Sequence, residues 1–334
     1  MSFSIIGTGS KAPSQVKTND DLARIMDTSD EWIRSKTGIR ERRILGEETI
    51  TDLVVESSLL ALEDAGVQPK ELDLIICATV TPDYITPSMG CVLQRRIGAV
   101  CPAFDISAAC AGFLYAWDIA DGYFARKLDS KILVVGAEAV SKLVDWRDRT
   151  TAVIFGDGAG AVVLGRGNGL KAIRLNNRGD ETALFARYQK GNCPIRRSQN
   201  GETAGHTTTP EADADTFLHM EGQKVFQFAV SSMCRDLKNI AKQAGMELED
   251  VDYVLPHQAN QRIIDYAISR LPLAPEKYLG NIAYRGNTSA AAIPVLLDEF
   301  RRKGQFRKGD ILAFTSFGAG LTSAAAILEW DKEE

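Results

Sequence analysis

Long apolar runs are missing from this chain of 334 residues. The longest candidates, residues 72–80 and 132–137, have the length of strands, and nothing approaches the ~18 residues of a membrane span. Histidine is scarce, at three residues, and none of the six cysteines belongs to a C-x-x-C pair. That spacing speaks against a zinc site. A chain this long can bury a sizeable core without a disulfide framework. Positive charge is not in excess either: 39 Lys+Arg against 44 Asp+Glu leave a net charge of −5. Bulk attraction to nucleic acid or to an anionic membrane is therefore not expected. The first fifteen residues show neither a basic stretch nor a sustained apolar one, so no secretory signal is expected. What remains is the composition of a cytoplasmic α/β protein.

What is there is written twice. The segment Asp64-Ala-Gly-Val-Gln-Pro-Lys-Glu-Leu-Asp-Leu-Ile-Ile reads against Gln243-Ala-Gly-Met-Glu-Leu-Glu-Asp-Val-Asp-Tyr-Val-Leu. The same spacing lays Lys131-Ile-Leu-Val-Val on Asp310-Ile-Leu-Ala-Phe. Each copy describes a helix closing at glycine, a short polar connection and an apolar strand, so an internal duplication is expected, with halves 1–170 and 171–334. The first half predicts helices near 52–65 and 87–97 and from about 111, and strands over 72–80, 103–107, 131–136 and 160–165. The second predicts helices near 225–244, after 260 and near 289–300, with strands over 253–255, 311–314 and 324–329. Alternating strands and helices imply mixed, covered sheets in a layered α/β fold. Residues 176–215 are polar, without a clear period, and read as a surface loop that holds Cys193 and His206.

Cys110 is the candidate nucleophile. It follows an apolar strand and sits among small residues where a helix should open, a place that favours thiolate through free N–H groups and the helix dipole. Cys77, Cys91, Cys101 and Cys234 lie in apolar stretches and read as inert packing. His257 occupies the matching junction of the second half, after the strand Tyr253-Val-Leu-Pro. Asn287, in Arg285-Gly-Asn-Thr-Ser-Ala, precedes another helix; taken alone it reads as a cap. Three such groups at equivalent junctions of a duplicated fold can converge on one cavity. Gly7-Thr-Gly-Ser-Lys-Ala is not a dinucleotide fingerprint, since Pro13 follows and no helix opens. Phe155-Gly-Asp-Gly-Ala-Gly-Ala and Ser316-Phe-Gly-Ala-Gly-Leu-Thr read as tight turns, the second able to aim a backbone N–H at an oxyanion.

With these segments in view, the chain resembles the β-ketoacyl-acyl-carrier-protein synthase III family of the thiolase superfamily, essentially end to end. The marks are Thr28-Ser-Asp-Glu-Trp-Ile, Thr37-Gly-Ile-Arg-Glu-Arg, Asp105-Ile-Ser-Ala-Ala-Cys-Ala-Gly-Phe, Phe155-Gly-Asp-Gly-Ala-Gly-Ala, Pro256-His-Gln-Ala-Asn and Gly286-Asn-Thr-Ser-Ala. The resemblance implies a five-layered αβαβα fold and a cytoplasmic homodimer that condenses an acyl-CoA primer with malonyl-acyl carrier protein, releasing CoA and CO2. It makes Cys110 the acyl acceptor and His257 with Asn287 the decarboxylation pair. Ala319 supplies an oxyanion N–H beside that of Cys110, and Phe317 the apolar wall at the malonyl carboxylate. For CoA it implies Trp32 and Arg149 around the adenine, with Thr28, Lys36, Gly222 and Asn260 nearby. Arg262 and Arg270 would attract the acidic carrier, Gln227 standing where some relatives have Lys. Thr86 would leave the acyl pocket roomier than the Phe of short-chain relatives does. CoA thioester is substrate, and no metal or redox cofactor is implied. A ketide synthase of specialised metabolism keeps the same three groups, and a thioester hydrolase is the more distant alternative. A hydroxymethylglutaryl-CoA synthase would need a catalytic Glu, and the Ala-rich neighbours of Cys110 offer none.

Overall fold

A computed structural model describes residues 2–187 and 216–332. In chain order its first half holds β1 (Ser2–Lys11), β2 (Gln15–Thr18), α1 (Asn19–Ala23), α2 (Asp30–Thr37), β3 (Glu41–Ile44) and α3 (Ile50–Ala65). It continues with β4 (Leu74–Ala78), α4 (Met89–Ile97), β5 (Ala103–Ile106), α5 (Gly112–Arg126), β6 (Ile132–Ala139) and β7 (Asp157–Gly167). Then come β8 (Leu170–Asp180), β9 (Leu184–Phe185), β10 (His219–Met220), α6 (Gly222–Gln243), β11 (Tyr253–Pro256) and α7 (Gln261–Ile268). The chain closes with α8 (Ile282–Arg285), α9 (Ala292–Arg302), β12 (Ile311–Gly318) and β13 (Gly320–Glu329).

Two sheets carry the architecture. The first has the order β1-β7-β6-β4-β5 and the second β11-β12-β13-β8. In each, the central strands run parallel (β4 with β6, β11 with β12) and the later ones antiparallel. Helices α3 and α4 cover the outer face of the first sheet, and α6 covers the second, with α7 packed on α6. Between the sheets lie α5 and α9. This is the five-layered αβαβα arrangement that the repeat and the resemblance imply, and both glycines read as helix stops adopt the left-handed backbone, Gly66 at φ 64° and Gly245 at φ 75°.

The middle layer is apolar on every side. Trp117 of α5 meets Phe314 of β12 edge-on, with ring centroids 5.0 Å apart, and Phe3 of β1 packs on the same indole. All three side chains are fully buried, so the two halves share one core. Truncating Phe314 to alanine would cost about 3–5 kcal/mol.

Three readings change. Residues 176–180 are not loop but the end of β8, paired with β13; they are polar and partly or fully exposed, which composition alone cannot separate from a loop. Cys193 and His206 lie outside the described residues. The segment from Asp157 to Ala161 is strand rather than tight turn. Its Gly160 lets α9 come close, since a Cβ there would stand 2.8 Å from the backbone carbon of Pro294. Cys91, read as inert packing, is exposed on α4, whereas Cys77 and Cys101 are buried and Cys234 is half-buried.

Candidate active site

The duplication brings two matching turns face to face. A single 3-10 turn, Ala109–Ala111, leads from β5 into α5, and its counterpart Ser289–Ala291 leads into α9. Each begins with a non-glycine residue held at positive φ, Ala109 at 45° and Ser289 at 50°. Such strain is retained where the surroundings over-determine the backbone. The turns pack on one another at the centre of the molecule.

Cys110 sits in the first turn, 9% exposed. Its carbonyl accepts the Ser316 hydroxyl at 2.7 Å, which ties the turn to β12. Gly318, at the end of that strand, fits only because it lacks a side chain: a Cβ would stand 2.8 Å from the Cys110 nitrogen. Ala319 is the next residue of the β12–β13 turn. The sequence led one to expect a thiolate here, but burial outweighs the turn's N–H groups and pushes the thiol up to about 12.

His257 follows β11, and its N–H donates to Thr315 O at 2.8 Å, continuing the strand pairing for one more residue. The imidazole is buried, lies edge-on to Phe317 at 5.3 Å, and neither ring nitrogen has a partner among the described residues. Desolvation lowers it to about 3, so it is neutral at any ordinary pH. A buried imidazole without partners has one N–H to give.

Asn287 is pinned by a short parallel bridge to Phe155, donating its backbone N–H to Ile154 O at 2.9 Å and accepting from Gly156 N at 3.0 Å. Its side-chain oxygen accepts the Ser289 N–H at 2.8 Å. The cap position itself falls to Thr288, so Asn287 stands one residue before it, and this bond uses only its oxygen; the NH2 group remains. Cys110, His257 and Asn287 all line one cavity of ≈ 140 Å³ with Phe317, Gly318, Gly222 and Asn260, closed by Phe226, Phe228, Leu321 and Ile154. That space takes the reacting end of a ligand and not a whole nucleotide thioester.

Outer positions divide. Trp32 and Arg149 are neighbours, the guanidinium 5.0 Å from the indole centroid and bonded to Asp27 O at 2.8 Å. The buried Thr28 hydroxyl has no partner among the described residues. Asn260 caps α7 and donates to Lys36 O at 3.1 Å, joining α7 to α2. Arg262 is exposed on α7, but Arg270 falls beyond the helix end, its guanidinium on the Tyr266 hydroxyl at 2.6 Å. Sequence reading missed Lys238, which lines a groove with Arg270 and Gln227. Thr86 is exposed and lies outside the Cys110 cavity of its own chain.

Sequence reading also missed a carboxylate. Glu138, at the end of β6, is fully buried, and its carboxyl accepts the Thr81 hydroxyl at 2.6 Å and the Ser289 hydroxyl at 3.2 Å. The signal was an acidic residue in an otherwise apolar strand end, Val135-Gly-Ala-Glu-Ala.

A duplicated αβαβα fold with Cys, His and Asn converging on one buried cavity defines a thiolase-like condensing enzyme. Residues 104–179 match the family described as 3-oxoacyl-[acyl-carrier-protein (ACP)] synthase III, and residues 241–330 match its C-terminal part. The beta-ketoacyl-[acyl-carrier-protein] synthase III of Clostridium acetobutylicum is 42% identical over 338 residues, covering 99% of each chain. That of Caldanaerobacter subterraneus is 44% identical, covering 98% of each. The crystal structure of 3-oxoacyl-[acyl-carrier-protein] synthase III from Aquifex aeolicus superposes with a TM-score of 0.88 at 42% identity, over 98% of this chain and 99% of that one. The chain belongs to the β-ketoacyl-acyl-carrier-protein synthase III family.

Proposed function

We propose that the chain condenses an acyl-CoA primer with malonyl-acyl carrier protein to give 3-oxoacyl-acyl carrier protein, CoA and CO2, the initiating step of fatty acid biosynthesis. The observation that carries this reading is the convergence of Cys110, neutral His257 and Asn287 on one cavity. Cys110 sulfur attacks the primer thioester, CoA leaves, and an acyl-Cys110 enzyme remains. Backbone N–H groups of Cys110 and Ala319 then hold the tetrahedral oxyanion.

Malonyl carrier enters next. His257 and the Asn287 NH2 donate to the malonyl thioester oxygen, and the charge they meet grows only as CO2 leaves, so they favour the transition state over the ground state. Phe317, buried against His257, leaves the departing carboxylate poorly solvated. The resulting carbanion attacks acyl-Cys110. Loss of CO2 drives carbon–carbon bond formation, and the scheme calls on no metal or redox cofactor.

Trp32, Arg149, Thr28, Lys36, Gly222 and Asn260 are assigned to CoA, and the unpartnered Thr28 hydroxyl supports that assignment. Arg262 and Arg270 are assigned to the acidic carrier, local attraction on a chain of net charge −5. A homodimer is supported by the edge strand β5 and by the exposed apolar Ile85 and Val100, which lie on either side of α4 in sequence. Thr86 belongs to this same exposed stretch, which suits a role at the partner's acyl pocket and a primer longer than acetyl. The compartment assigned is the cytoplasm; among the described residues no helix is long and apolar enough to cross a membrane.

The test is release of CO2 from carboxyl-labelled malonyl carrier. It should require an acyl-CoA primer and yield a 3-oxoacyl carrier; CoA release without malonyl dependence would point to a hydrolase instead.

A further inference from the structure

A proton has to leave Cys110 and come back in each catalytic cycle, and the residues around the sulfur say where it can go. The obvious base, His257, is poorly suited. Its ring is fully buried without a partner, and the condensation needs it as a neutral donor. An imidazole that had taken the thiol proton would have to lose it again before doing that work.

In the turn packed against that of Cys110 stands Ser289. Its hydroxyl favours the ionised sulfur, and that hydroxyl donates to Glu138 at 3.2 Å. Ser289 is not there by accident of rotamer: its backbone is held at φ 50° and its N–H is fixed on Asn287. A hydroxyl both donates and accepts, so one side chain can pass a proton between two neighbours. Glu138 is 0% exposed and is held by neutral donors: the Thr81 hydroxyl, the Val80 N–H and Ser289 itself. Thr81 is locked in turn, accepting the Ala139 N–H at 2.7 Å. The charged or titratable groups facing Glu138 are Cys110 and Asp157 of the neighbouring strand β7. A carboxyl in that setting is built to change charge rather than to hold a salt bridge.

We propose that Glu138, acting through the Ser289 hydroxyl, holds the Cys110 proton for the lifetime of the acyl-enzyme. In the first half-reaction the S–H bond breaks and its proton passes to Ser289 Oγ, whose own proton moves to Glu138 Oε1. The sulfur forms its bond to the acyl carbon, the bond from that carbon to the CoA sulfur breaks, and CoA leaves as a thiolate that solvent protonates. In the second half-reaction the carbanion attacks the acyl carbon and the bond to Cys110 breaks. The thiolate so freed recovers its proton from Glu138 along the same path. His257 stays neutral throughout.

Basicity agrees with the geometry. Burial raises Glu138 to about 7 and lowers His257 to about 3, so the carboxylate is the better proton acceptor. Ser289 and Glu138 are positioning and proton-holding groups, distinct from the three that touch substrate.

The proposal rests on the acyl-Cys110 intermediate, and its test separates the two. Acylation by acetyl-CoA alone is followed by rapid quench and mass spectrometry from about pH 5 to about pH 9, in wild type, E138Q and S289A. Wild type should acylate with a rate that rises to a plateau, midpoint near 7. Each variant should slow by roughly a hundredfold and lose that midpoint. Infrared difference spectra should show a protonated-carboxyl band appearing when wild type is acylated. Should E138Q not fold, S289A and the wild-type spectrum decide the matter. The proposal is overturned by variants that keep the wild-type rate and midpoint, by a wild-type rate that climbs with pH without a plateau, or by acylation without a carboxyl band. A wild type that never acylates would overturn the proposed function itself.

Discussion

The side-chain oxygen of Asn287 accepts the backbone N–H of Ser289 at 2.8 Å, so the turn that opens α9 also orients the amide beside Cys110. The oxygen is used inside the protein, and the NH2 end is left for the cavity. An aspartate at this position has the same shape but offers an acceptor and a charge where a donor is needed.

N287D should therefore acylate at Cys110 normally and fail at condensation. Removing one oxyanion donor costs roughly 10²–10³ in kcat. Rapid-quench mass spectrometry of the acyl-enzyme, followed by malonyl-carrier turnover, separates the two steps; equal loss in both would mean that Asn287 acts on the fold.

Gly318 controls how closely β12 approaches the nucleophile. In G318A the new Cβ would meet the Cys110 nitrogen at 2.8 Å and its Cβ at 3.2 Å, and one of the two segments must shift. A displacement near 1 Å at reacting atoms can cost about 10² in rate. The expected outcome is slower acylation with far-ultraviolet circular dichroism unchanged.

How much of this was visible in the residues is clearest at these junctions. Cys110, His257 and Asn287 could be chosen because each follows an apolar strand or precedes a helix, and because the repeat makes those junctions equivalent. Ser289 could not be chosen, since it looks like any small residue at a helix start; its importance comes from a backbone conformation that only the packed turns impose. Glu138 was hidden for a different reason. It lies far along the chain from Cys110, so the search for an acid among the local neighbours of Cys110 found only alanines. The end of β8 was misread because its residues are polar and Asn177, Arg178 and Gly179 are exposed in succession, while hydrogen bonds to β13, invisible in composition, make it a strand. The thiolate expectation failed because dipole and desolvation oppose each other, and sequence shows the first without the second.

Glu138 also leaves a mark on stability. Its folded pKa is raised to about 7 from an ordinary 4.5, so the folded state binds its proton more tightly than the unfolded state does. Its contribution is full below the ordinary value and is lost as pH rises through about 7. E138Q stays neutral, so its Tm relative to wild type should rise between about pH 5 and about pH 9. The change corresponds to about 3 kcal/mol. Thermal unfolding at the two pH values checks this; a constant difference would contradict it.

The Arg149 guanidinium lies over the Trp32 indole, 5.0 Å from the ring centroid. If the adenine of CoA inserts there, W32A loses one stacking surface, worth about 1–3 kcal/mol for a base on an aromatic ring. KM for acyl-CoA should rise by roughly tenfold or more with kcat nearly unchanged, whereas the corresponding acyl-pantetheine, which has no adenine, should be unaffected. Steady-state kinetics with both substrates gives the comparison.

In the proposed reaction Cys110 carries the primer between the two half-reactions. Peptide mass spectrometry after incubation with acetyl-CoA should find the acetyl group on Cys110. Adding malonyl-acyl carrier protein should discharge it into 3-oxoacyl carrier, with release of CO2. An unmodified Cys110, or an acetyl group that stays when the malonyl carrier is added, would contradict it.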